Sequence, residues 1–323
     1  MGSLHFRMAL LWIALFGILY AIITIIGVAI GITNFTFYLL LSLFFMFIQY
    51  MIGPKIVEWT MRVKYVSEQE APELHQMISE LSANAHIPKP KLGVTEIALP
   101  NAFAFGRSLR DGRVCVTRGI MRLLNKDELR AVLGHEISHL RNRDVLTITL
   151  LSVIPIVLYR IAWHLMFFGG GRSRNRGSAS LALIGLAAFL FYFITNLLVL
   201  YASRIREYFA DLGSVKLGNR PKHLATALYK LVYGSARTDK EDLRKMEGMK
   251  AFFLNDPSVA LREIRELSQI DLDKSGSIDE DELLALRNKR VKIGFWEKGM
   301  ELLTTHPNMV KRIQQLSQYE GAV

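Results

Sequence analysis

Long uncharged stretches of apolar residues alternate along the chain with segments in which apolar and charged positions are mixed. Residues 8–32 contain no charge, and this run is long enough to cross a bilayer and too long for the apolar part of a signal peptide. A second apolar run, residues 35–53, follows after a few polar residues. The pattern predicts a tight N-terminal membrane hairpin over residues 1–54.

Two further apolar runs, residues 145–168 and 180–202, are separated by the polar sequence GGGRSRNRGS. They predict a second membrane hairpin over residues 145–202. Arg160 and His164 interrupt its first limb, and the three arginines of the connection would lie on the outer side if both limbs span. A hairpin that dips into, or lies along, the cytoplasmic leaflet is therefore an open alternative.

Basic residues that flank the first hairpin predict its orientation. Arg7 precedes the first run, and Lys55, Arg62 and Lys64 follow the second, whereas the connection between the runs carries no charge. Because lysine and arginine are enriched on the cytoplasmic side of membrane proteins, both ends of the hairpin are predicted to be cytoplasmic. The segment that follows, up to residue 144, is then cytoplasmic as well.

The remaining segments have the pattern of an α+β domain, which the second hairpin divides into residues 55–144 and 203–323. Residues 67–86 have the apolar spacing of a helix. Short β-like segments follow at residues 92–95, 102–105 and 114–117. We expect a small antiparallel sheet, whose exposed edge can receive an extended peptide as an added strand.

Composition agrees with this division into membrane and soluble parts. Apolar residues make up 51% of the 323 positions and charged residues 21%, which is too apolar for an ordinary soluble protein and too charged for a wholly embedded one. The net charge of +11 is not accompanied by interleaved basic and aromatic residues, so we expect no nucleic-acid partner. The single cysteine, Cys115, excludes an intramolecular disulfide and is expected to be a buried core thiol.

A candidate catalytic motif, His-Glu-x-x-His, lies in a predicted helix over residues 126–144. His135 and His139 share one face of a helix, so both imidazoles can bind one zinc ion. Glu136 then projects beside the metal, where a general base can take a proton from water. The bare pattern also occurs by chance in surface helices, but here it is accompanied by an apolar stripe of Leu129, Val132, Leu133, Ile137 and Leu140.

A second candidate segment, SRIREYFAD at residues 203–211, follows the second hairpin directly. Glu207 and Asp211 are four residues apart, so on a helix one carboxylate can bind zinc while the other orients a ligating histidine through its far ring nitrogen. The expected zinc ligands are therefore His135, His139 and Glu207, with Asp211 behind them. Alone, the segment could also be the charged start of a helix at the membrane surface.

Residues 271–282, DLDKSGSIDEDE, match the calcium loop of an EF-hand, with Gly276 at the position of the sharp turn. The expected calcium ligands are Asp271, Asp273, Ser275, Ser277 through its carbonyl, Asp279 and Glu282. We predict an EF-hand-like segment over residues 259–291. An acidic loop without an ion is the alternative. No second loop is visible, and a lone hand could bind weakly, pair between chains or be vestigial.

Five short sequences together resemble the HtpX-type membrane zinc metalloproteases, which are relatives of the Ste24 CaaX endoproteases. They are HEISH at 135–139, REYFAD at 206–211, PNAFAFG at 100–106, VTRGIMRLL at 116–124 and TTHP at 304–307. The resemblance runs from the first apolar run to the C-terminus, and the EF-hand-like loop departs from it. It implies a gluzincin fold and a zinc endopeptidase of the cytoplasmic membrane that degrades damaged or misassembled membrane proteins.

The resemblance also implies roles for particular residues. Glu136 would be the general base and Glu207 the third zinc ligand. Asn101 and Ala102 would lie on the substrate-binding edge strand. His306 would lie near the metal as a hydrogen-bond donor to the transition state or as a gating ligand, although Thr-Thr-His-Pro could equally begin a final helix.

We therefore expect a mainly α membrane protein with two transmembrane hairpins and a cytoplasmic α+β zincin domain, located in the cytoplasmic membrane. The expected function is hydrolysis of damaged or misfolded membrane proteins in protein quality control and the stress response, with Zn²⁺ as cofactor and Ca²⁺ as a modulator. Polypeptides and the lipid bilayer are the expected partners, with no nucleic acid and no small-molecule cofactor. The alternatives are a calcium-responsive membrane scaffold with an inactive site, which the intact Glu136 disfavours, and a CaaX-type processing protease, whose relatives carry more spans around a large chamber.

Overall fold

The computed structural model describes residues 35–167, 177–236, 264, 267–287, 299 and 301–321. Its contacts divide the chain into two units. One unit consists of Met1–Ile52 and Leu146–Ile205, and the other of Gly53–Val145 and Arg206–Val323. The first predicted membrane run, residues 8–32, lies outside the described residues, as does the arginine-rich connection. Most of residues 259–266, which precede the loop in the predicted EF-hand-like segment, also lie outside them.

Helices and short strands make up the described residues. The helices are α1 (Phe35–Thr60), α2 (Pro72–Asn84), α3 (Arg118–Leu123), α4 (Lys126–Arg141), α5 (Asp144–Phe167), α6 (Gly177–Lys216), α7 (Pro221–Ala236), α8 (Glu280–Leu286) and α9 (Met309–Ser317). The strands are β1 (Lys64–Tyr65), β2 (Lys91–Thr95), β3 (Ala102–Phe105) and β4 (Arg113–Thr117), and a 3₁₀ turn at Leu109–Asp111 joins β3 to β4.

The four strands form one mixed sheet in the order β1, β2, β4, β3. Strands β2 and β4 are parallel, while β1 pairs antiparallel to β2 and β3 pairs antiparallel to β4. The prediction of an antiparallel sheet is wrong because the chain passes through β3 before it returns as β4 between β2 and β3. Strand β3 is therefore left at one edge of the sheet.

The second unit has one continuous hydrophobic core. It includes Ile78 of α2, Leu133 of α4, Leu228 of α7 and Ile313 of α9, all of which are buried. Ile278 of the EF-hand-like loop also belongs to this core. The loop is therefore packed into the same unit as the His-Glu-x-x-His helix.

Helix α4 begins and ends at clear local signals. The side chain of Asn125 accepts a hydrogen bond from the backbone N–H of Glu128, and the Glu128 carboxylate accepts one from the N–H of Asn125, so the first turn has a capping box. At the other end Arg143 has a φ of 55°, in the left-handed region. The predicted helix over residues 126–144 therefore ends at Arg141, and a new helix begins at Asp144.

Small residues bring α4 close to the C-terminal part of α6. A Cβ atom on Gly213 would lie 1.9 Å from the Ser138 Oγ atom, and one on Gly134 would lie 2.4 Å from the Asn219 Nδ2 atom. The Ser214 hydroxyl donates a hydrogen bond to the carbonyl oxygen of Ala131 at 2.6 Å. The two helices can therefore bring their polar side chains within contact distance.

In the first unit, α5 and α6 pack antiparallel. Leu151 and Leu158 of α5 share a buried cluster with Val199 and Ala202 of α6, and the rings of Tyr159 and Tyr192 lie 5.4 Å apart between centroids. Large apolar side chains on another face of α6 are exposed, at Leu183, Leu186, Leu190 and Phe193. Among the described residues, the helical segment Leu183–Lys216 is long and apolar enough to cross a membrane.

Candidate functional site

Three side chains of the second unit converge on one point. The Nε2 atoms of His135 and His139 lie 3.0 Å apart. The Glu207 carboxylate lies 3.6 Å from His135 Nε2 through its Oε2 atom and 3.5 Å from His139 Nε2 through its Oε1 atom. The three predicted zinc ligands are thus brought together, with one donor atom of each within 4.8 Å of the others.

Each histidine has a carboxylate behind it. The Nδ1 atom of His135 lies 2.9 Å from Asp211 Oδ1, and the Nδ1 atom of His139 lies 2.5 Å from Asp144 Oδ2. A hydrogen bond from Nδ1–H to a carboxylate leaves the lone pair of Nε2 free for a metal. Asp211 lies behind His135, as the sequence predicted, whereas Asp144 was missed because the sequence placed it only at the end of the predicted helix over residues 126–144.

The donor set fits a zinc ion. Two Nε2 lone pairs that face each other at 3.0 Å repel unless a cation or a proton lies between them. Burial alone would lower the pKa of His135, but hydrogen bonds with Asp211 and Glu207 outweigh burial and raise it to about 9. The surrounding carboxylates thus favour positive charge at this point, and two imidazoles with one carboxylate are a common ligand set of catalytic zinc.

Two arginines complete the site, and neither was identified from the sequence. Arg312 donates from Nε to Asp211 Oδ2 at 2.9 Å and from Nη2 to Asp211 Oδ1 at 2.6 Å, and its Nη1 atom lies 3.1 Å from Glu207 Oε2. The Nε atom of Arg206 lies 3.0 Å from Asp144 Oδ1 as an ion pair.

A sequence signal for Arg312 did exist. It lies among the apolar positions Met309, Ile313 and Leu316 of α9, all of which are buried. An arginine on the buried face of a helix requires an acidic partner.

Glu136 lies in the same buried region. It is 3% exposed, and burial raises the pKa of its carboxyl group above the usual glutamate value. The two histidines oppose this rise, and the backbone N–H of Ala104 hydrogen-bonds the carboxylate. A buried carboxylate with a raised pKa is suited to accept and return a proton near neutral pH.

Strand β3 lies at an edge of the described sheet, and β4 pairs with one side of its backbone. Thr117 N–H donates to the Asn101 carbonyl at 2.9 Å, so these two residues form a hydrogen-bonded pair. Because such pairs alternate along antiparallel strands, the backbone polar groups of Ala102 and Ala104 point away from β4. Both predicted substrate-binding residues have buried side chains: the backbone groups of Ala102 point away from β4, while Asn101 is bound to Thr117.

His306 lies beside the third predicted ligand. Its Nδ1 atom is 3.4 Å from Glu207 Oε2. Both ring nitrogens are buried and neither has a well-directed hydrogen bond. The Thr304 hydroxyl donates to the His306 carbonyl at 2.8 Å, and α9 begins only after the cap residue Asn308. The segment is therefore a turn that precedes the final helix.

The EF-hand-like loop forms a separate acidic cluster. One carboxylate oxygen of each of Asp271, Asp273 and Glu282 lies within 4.8 Å of the others. Asp271 accepts hydrogen bonds from the backbone N–H groups of Ser275 and Gly276, and Gly276 has a φ of 80°.

The other predicted calcium ligands lie in the same loop. The Ser275 hydroxyl donates to the Ser277 carbonyl at 3.2 Å. Asp279 caps α8 and accepts a hydrogen bond from the Glu282 N–H at 2.8 Å. All six predicted calcium ligands lie in described residues of this loop. Three of them, Asp271, Asp273 and Glu282, bring carboxylate oxygens close together.

The chain was compared with known proteins. The profile of "Peptidase family M48" matches residues 68–320. A "Protease HtpX homolog" of Methanothermobacter thermautotrophicus is 54% identical over 71% of this chain and 86% of that protein. Another, from Thermoplasma acidophilum, is 34% identical over 93% of this chain and 91% of that protein.

A solved structure also has this fold. The crystal structure of Ste24p from S. mikatae aligns with 98% of this chain and 67% of that chain, with a TM-score of 0.55 and 17% identity, which is similarity of fold alone. The family match includes His135, His139 and Glu207 as well as strands β2, β3 and β4 and helix α9. The chain therefore belongs to peptidase family M48.

Proposed function

We propose that this M48 peptidase is a membrane-bound, zinc-dependent endopeptidase whose zinc ligands are His135, His139 and Glu207 and whose general base is Glu136. The observation that carries the proposal is the convergence of two imidazoles, each held by its own carboxylate, with Glu207 at 3.5–3.6 Å. M48 peptidases are zinc-dependent hydrolases, and this donor set is consistent with that chemistry.

The proposed mechanism assigns a separate task to each residue. When bound, zinc supplies a Lewis acid that polarises the scissile carbonyl and lowers the pKa of the attacking water. Glu136 accepts the proton of that water and returns it to the leaving amine. The outward backbone groups of Ala102 and the outward carbonyl of Ala104, whose N–H is bound to Glu136, hold the substrate as an added strand. His306, beside Glu207, donates a hydrogen bond to the developing oxyanion.

The substrates we propose are damaged or misassembled membrane proteins, and the role is protein quality control. A β-strand edge binds main-chain groups, so it accepts extended segments of many sequences. Unfolded or misassembled proteins expose such segments, whereas folded proteins keep their backbone groups paired. Recognition by the edge of β3 therefore favours non-native substrates over native ones.

For the membrane part we propose two hairpins, residues 1–54 and 145–202, and a cytoplasmic peptidase domain of residues 55–144 and 203–323. The exposed apolar face of α6 supports contact with lipid, because its residues recur at helical spacing. The basic residues after the first hairpin support the cytoplasmic orientation. A shallow second hairpin remains the alternative.

We also propose that the loop at residues 271–282 binds Ca²⁺ and modulates the peptidase. The three converging carboxylates of the loop support ion binding. Contacts tie the loop to α7, since the Tyr229 hydroxyl donates to Asp271 Oδ2 at 2.5 Å and the Thr226 hydroxyl donates to the Ile278 carbonyl at 2.8 Å. A purely calcium-responsive scaffold is disfavoured by the buried, intact Glu136.

Metal analysis and proteolysis of the purified protein in detergent test the proposal. The wild-type protein is expected to carry zinc and to cleave casein, an unfolded substrate, but not a tightly folded control protein. The Glu136→Gln variant should keep its zinc and lose activity by about 10²–10⁴-fold, the usual contribution of a general base. If Glu136→Gln cleaves casein at the wild-type rate, the proposed mechanism is wrong.

A further inference from the structure

Arg312 contacts both carboxylate side chains that α6 contributes to the site, Glu207 and Asp211. Its side chain is fully buried. Two of its nitrogens bind the Asp211 carboxylate at 2.9 and 2.6 Å, while the third, Nη1, lies 3.1 Å from Glu207 Oε2. One guanidinium group therefore bridges the residue behind His135 and the third predicted zinc ligand.

The contact with His135 is made through Asp211. Asp211 Oδ1 is shared by Arg312 Nη2 at 2.6 Å and His135 Nδ1 at 2.9 Å. Arg312 Nη2 also lies 3.4 Å from His135 Nδ1, but both atoms carry protons when His135 donates to Asp211, so this approach is not a hydrogen bond. The guanidinium thus orients the imidazole indirectly, by fixing the carboxylate to which it donates.

The shape of the guanidinium matters as well as its charge. Its planar group presents N–H donors in several fixed directions, and here it uses three of its nitrogens toward two carboxylates. The compact ammonium of a lysine could approach one carboxylate but could not reproduce all three contacts. Glu207 and Asp211 lie one turn apart on the same face of α6. By contacting both carboxylates, Arg312 fixes the direction in which each side chain points.

We propose that Arg312 is a positioning residue of the zinc site, which holds Asp211 against His135 and Glu207 toward the two Nε2 atoms. This inference rests on the proposed zinc peptidase function. Arg312 acts through Asp211 and Glu207, the two carboxylates that it contacts. Its loss should loosen both contacts and weaken zinc binding.

The other histidine provides an internal comparison. Arg206, Asp144 and His139 form a second chain of the same residue types, but Arg206 makes only one ion pair, at 3.0 Å, and its side chain is 13% exposed. Arg206 is not paired with Glu207 among the described contacts. If the role of Arg312 depends on bridging two carboxylates, its substitution should lower zinc affinity more than substitution of Arg206 does.

Zinc affinity, measured by competition with a coloured chelator, tests the proposal. Arg312→Gln is expected to lower zinc affinity by about 10–100-fold, the usual effect of a residue behind a ligand. Arg206→Gln should have a smaller effect. Gln315→Ala is the neutral control, because Gln315 lies on the same helix and, among the described residues, its side chain donates to the Tyr319 hydroxyl and not to a residue of the site. Cobalt substitution gives a second readout, since its visible absorption reports the arrangement of the ligands.

Arg312→Lys keeps the positive charge but not the shape of the guanidinium, so it distinguishes the effect of charge from the effect of positioning. It also provides a test if the Arg312→Gln protein does not fold. If a buried positive charge is all that the site needs, lysine will restore wild-type zinc affinity and the wild-type cobalt spectrum, and the proposal is overturned. Positioning instead predicts that the lysine variant remains weakened, with an altered cobalt spectrum. Wild-type affinity in a folded Arg312→Gln protein would also overturn the proposal.

A double-mutant cycle tests whether Arg312 acts through Asp211. In an Asp211→Asn background, Arg312→Gln should lower zinc affinity by a much smaller factor than in the wild type, because the shared contact is already lost. Equal factors in both backgrounds would contradict the proposed route. Failure of the zinc peptidase function itself is distinguishable, because then the wild-type protein would bind no stoichiometric zinc before any substitution is made.

Discussion

Asp144 Oδ2 lies 2.5 Å from His139 Nδ1, so the first residue of one helix orients the last histidine of the helix before it. The left-handed conformation of Arg143 makes this possible by turning the chain sharply between α4 and α5. The boundary between the segment that carries the His-Glu-x-x-His motif and the apolar run of residues 145–168 is therefore itself part of the site. A change at the start of α5 therefore has a covalent route to the orientation of His139.

Removal of the negative charge at Asp144 should weaken zinc binding. Asp144→Asn keeps the size of the side chain but weakens the hydrogen bond that fixes the tautomer of His139, so we expect a loss of zinc affinity of about 10–100-fold. Asp211→Asn should have a comparable effect through His135. Asp127→Asn is the matched control, since Asp127 lies in the first turn of α4, the helix that carries His139, and is exposed. Unchanged affinity in Asp144→Asn would remove this role from Asp144.

Zinc removal should destabilise the second unit. Without a cation, the Nε2 lone pairs of His135 and His139 repel each other and the nearby Glu207 carboxylate. Zinc binding removes this repulsion and therefore stabilises the native arrangement. At zinc concentrations about 100 times the dissociation constant, linkage adds about 2.7 kcal/mol to the free energy of unfolding. Thermal unfolding should therefore shift downwards on chelation in the wild type. His135→Ala should unfold at one temperature with or without chelator, and a shift equal to that of the wild type would contradict His135 as a ligand.

The sequence predicted the parts of the site that depend on helical periodicity. His135 with His139, and Glu207 with Asp211, are four residues apart, and each pair lies on one face of its helix. Asp211 was predicted for the same reason. The prediction of how the strands pair was wrong, because the order of strands depends on how the chain returns to the sheet and not on their local pattern.

Arg312 and Asp144 could not be assigned from local spacing. Arg312 lies 101 positions after Asp211 in the sequence and reaches it only because α9 packs in the common core. The position of Asp144 beside His139 depends on the left-handed conformation of Arg143. Arginine rarely adopts that conformation, so the sequence does not indicate it. Long-range tertiary contacts and single backbone angles are therefore the features of the site that local sequence patterns do not predict.

The close approach of α4 and α6 should make Gly213 intolerant of any side chain. The Cβ atom of Gly213→Ala would lie 1.9 Å from Ser138 Oγ and 2.6 Å from Ser138 Cβ, so the helices must move apart. We expect a loss of stability of about 1–3 kcal/mol, as for other overpacked sites, together with weaker zinc binding. Ser138→Gly in the same chain should recover most of both losses, which thermal unfolding and chelator competition would measure.

A glycine with free space around it is the control for this prediction. Gly53 lies in α1 with no other atom within 4 Å of a built Cβ, so Gly53→Ala should leave zinc affinity unchanged. If Gly213→Ala also binds zinc with wild-type affinity, the spacing of the two helices does not control the site.

The proposed membrane topology predicts which positions are accessible from outside the cell. In a Cys115→Ser background, a cysteine at Ser173, in the connection of the second hairpin, should react with an impermeant thiol reagent on intact cells. A cysteine at Gly321 should react only after the membrane is opened. Protection at position 173 would favour the shallow hairpin instead of two spanning limbs, and labelling at position 321 on intact cells would overturn the orientation.

The EF-hand-like loop has a structural route to the proposed zinc site that runs through α9. Arg287, which follows α8, donates to the carbonyl oxygens of Ser317 at 3.2 Å and Glu320 at 2.7 Å, near the C-terminal end of α9. Helix α9 carries Arg312, which holds Asp211 and contacts Glu207. A change in the direction of α8 on calcium binding would therefore be transmitted to both.

Activity should consequently rise with calcium over micromolar to millimolar concentrations, the range of EF-hand sensors and weaker modules. Casein cleavage is to be titrated with calcium at fixed zinc, in a calcium buffer that does not strip zinc. Glu282→Gln should give a flat response because it removes a carboxylate of the cluster, whereas Asp281→Asn, which makes the same change of charge at the adjacent exposed position, should respond as the wild type does. Coupling between sites is reciprocal, so a hydroxamate that binds the zinc site should tighten calcium binding by the same factor. Identical, flat titrations for the wild type and Glu282→Gln would end the regulatory proposal and leave the loop at most a structural role.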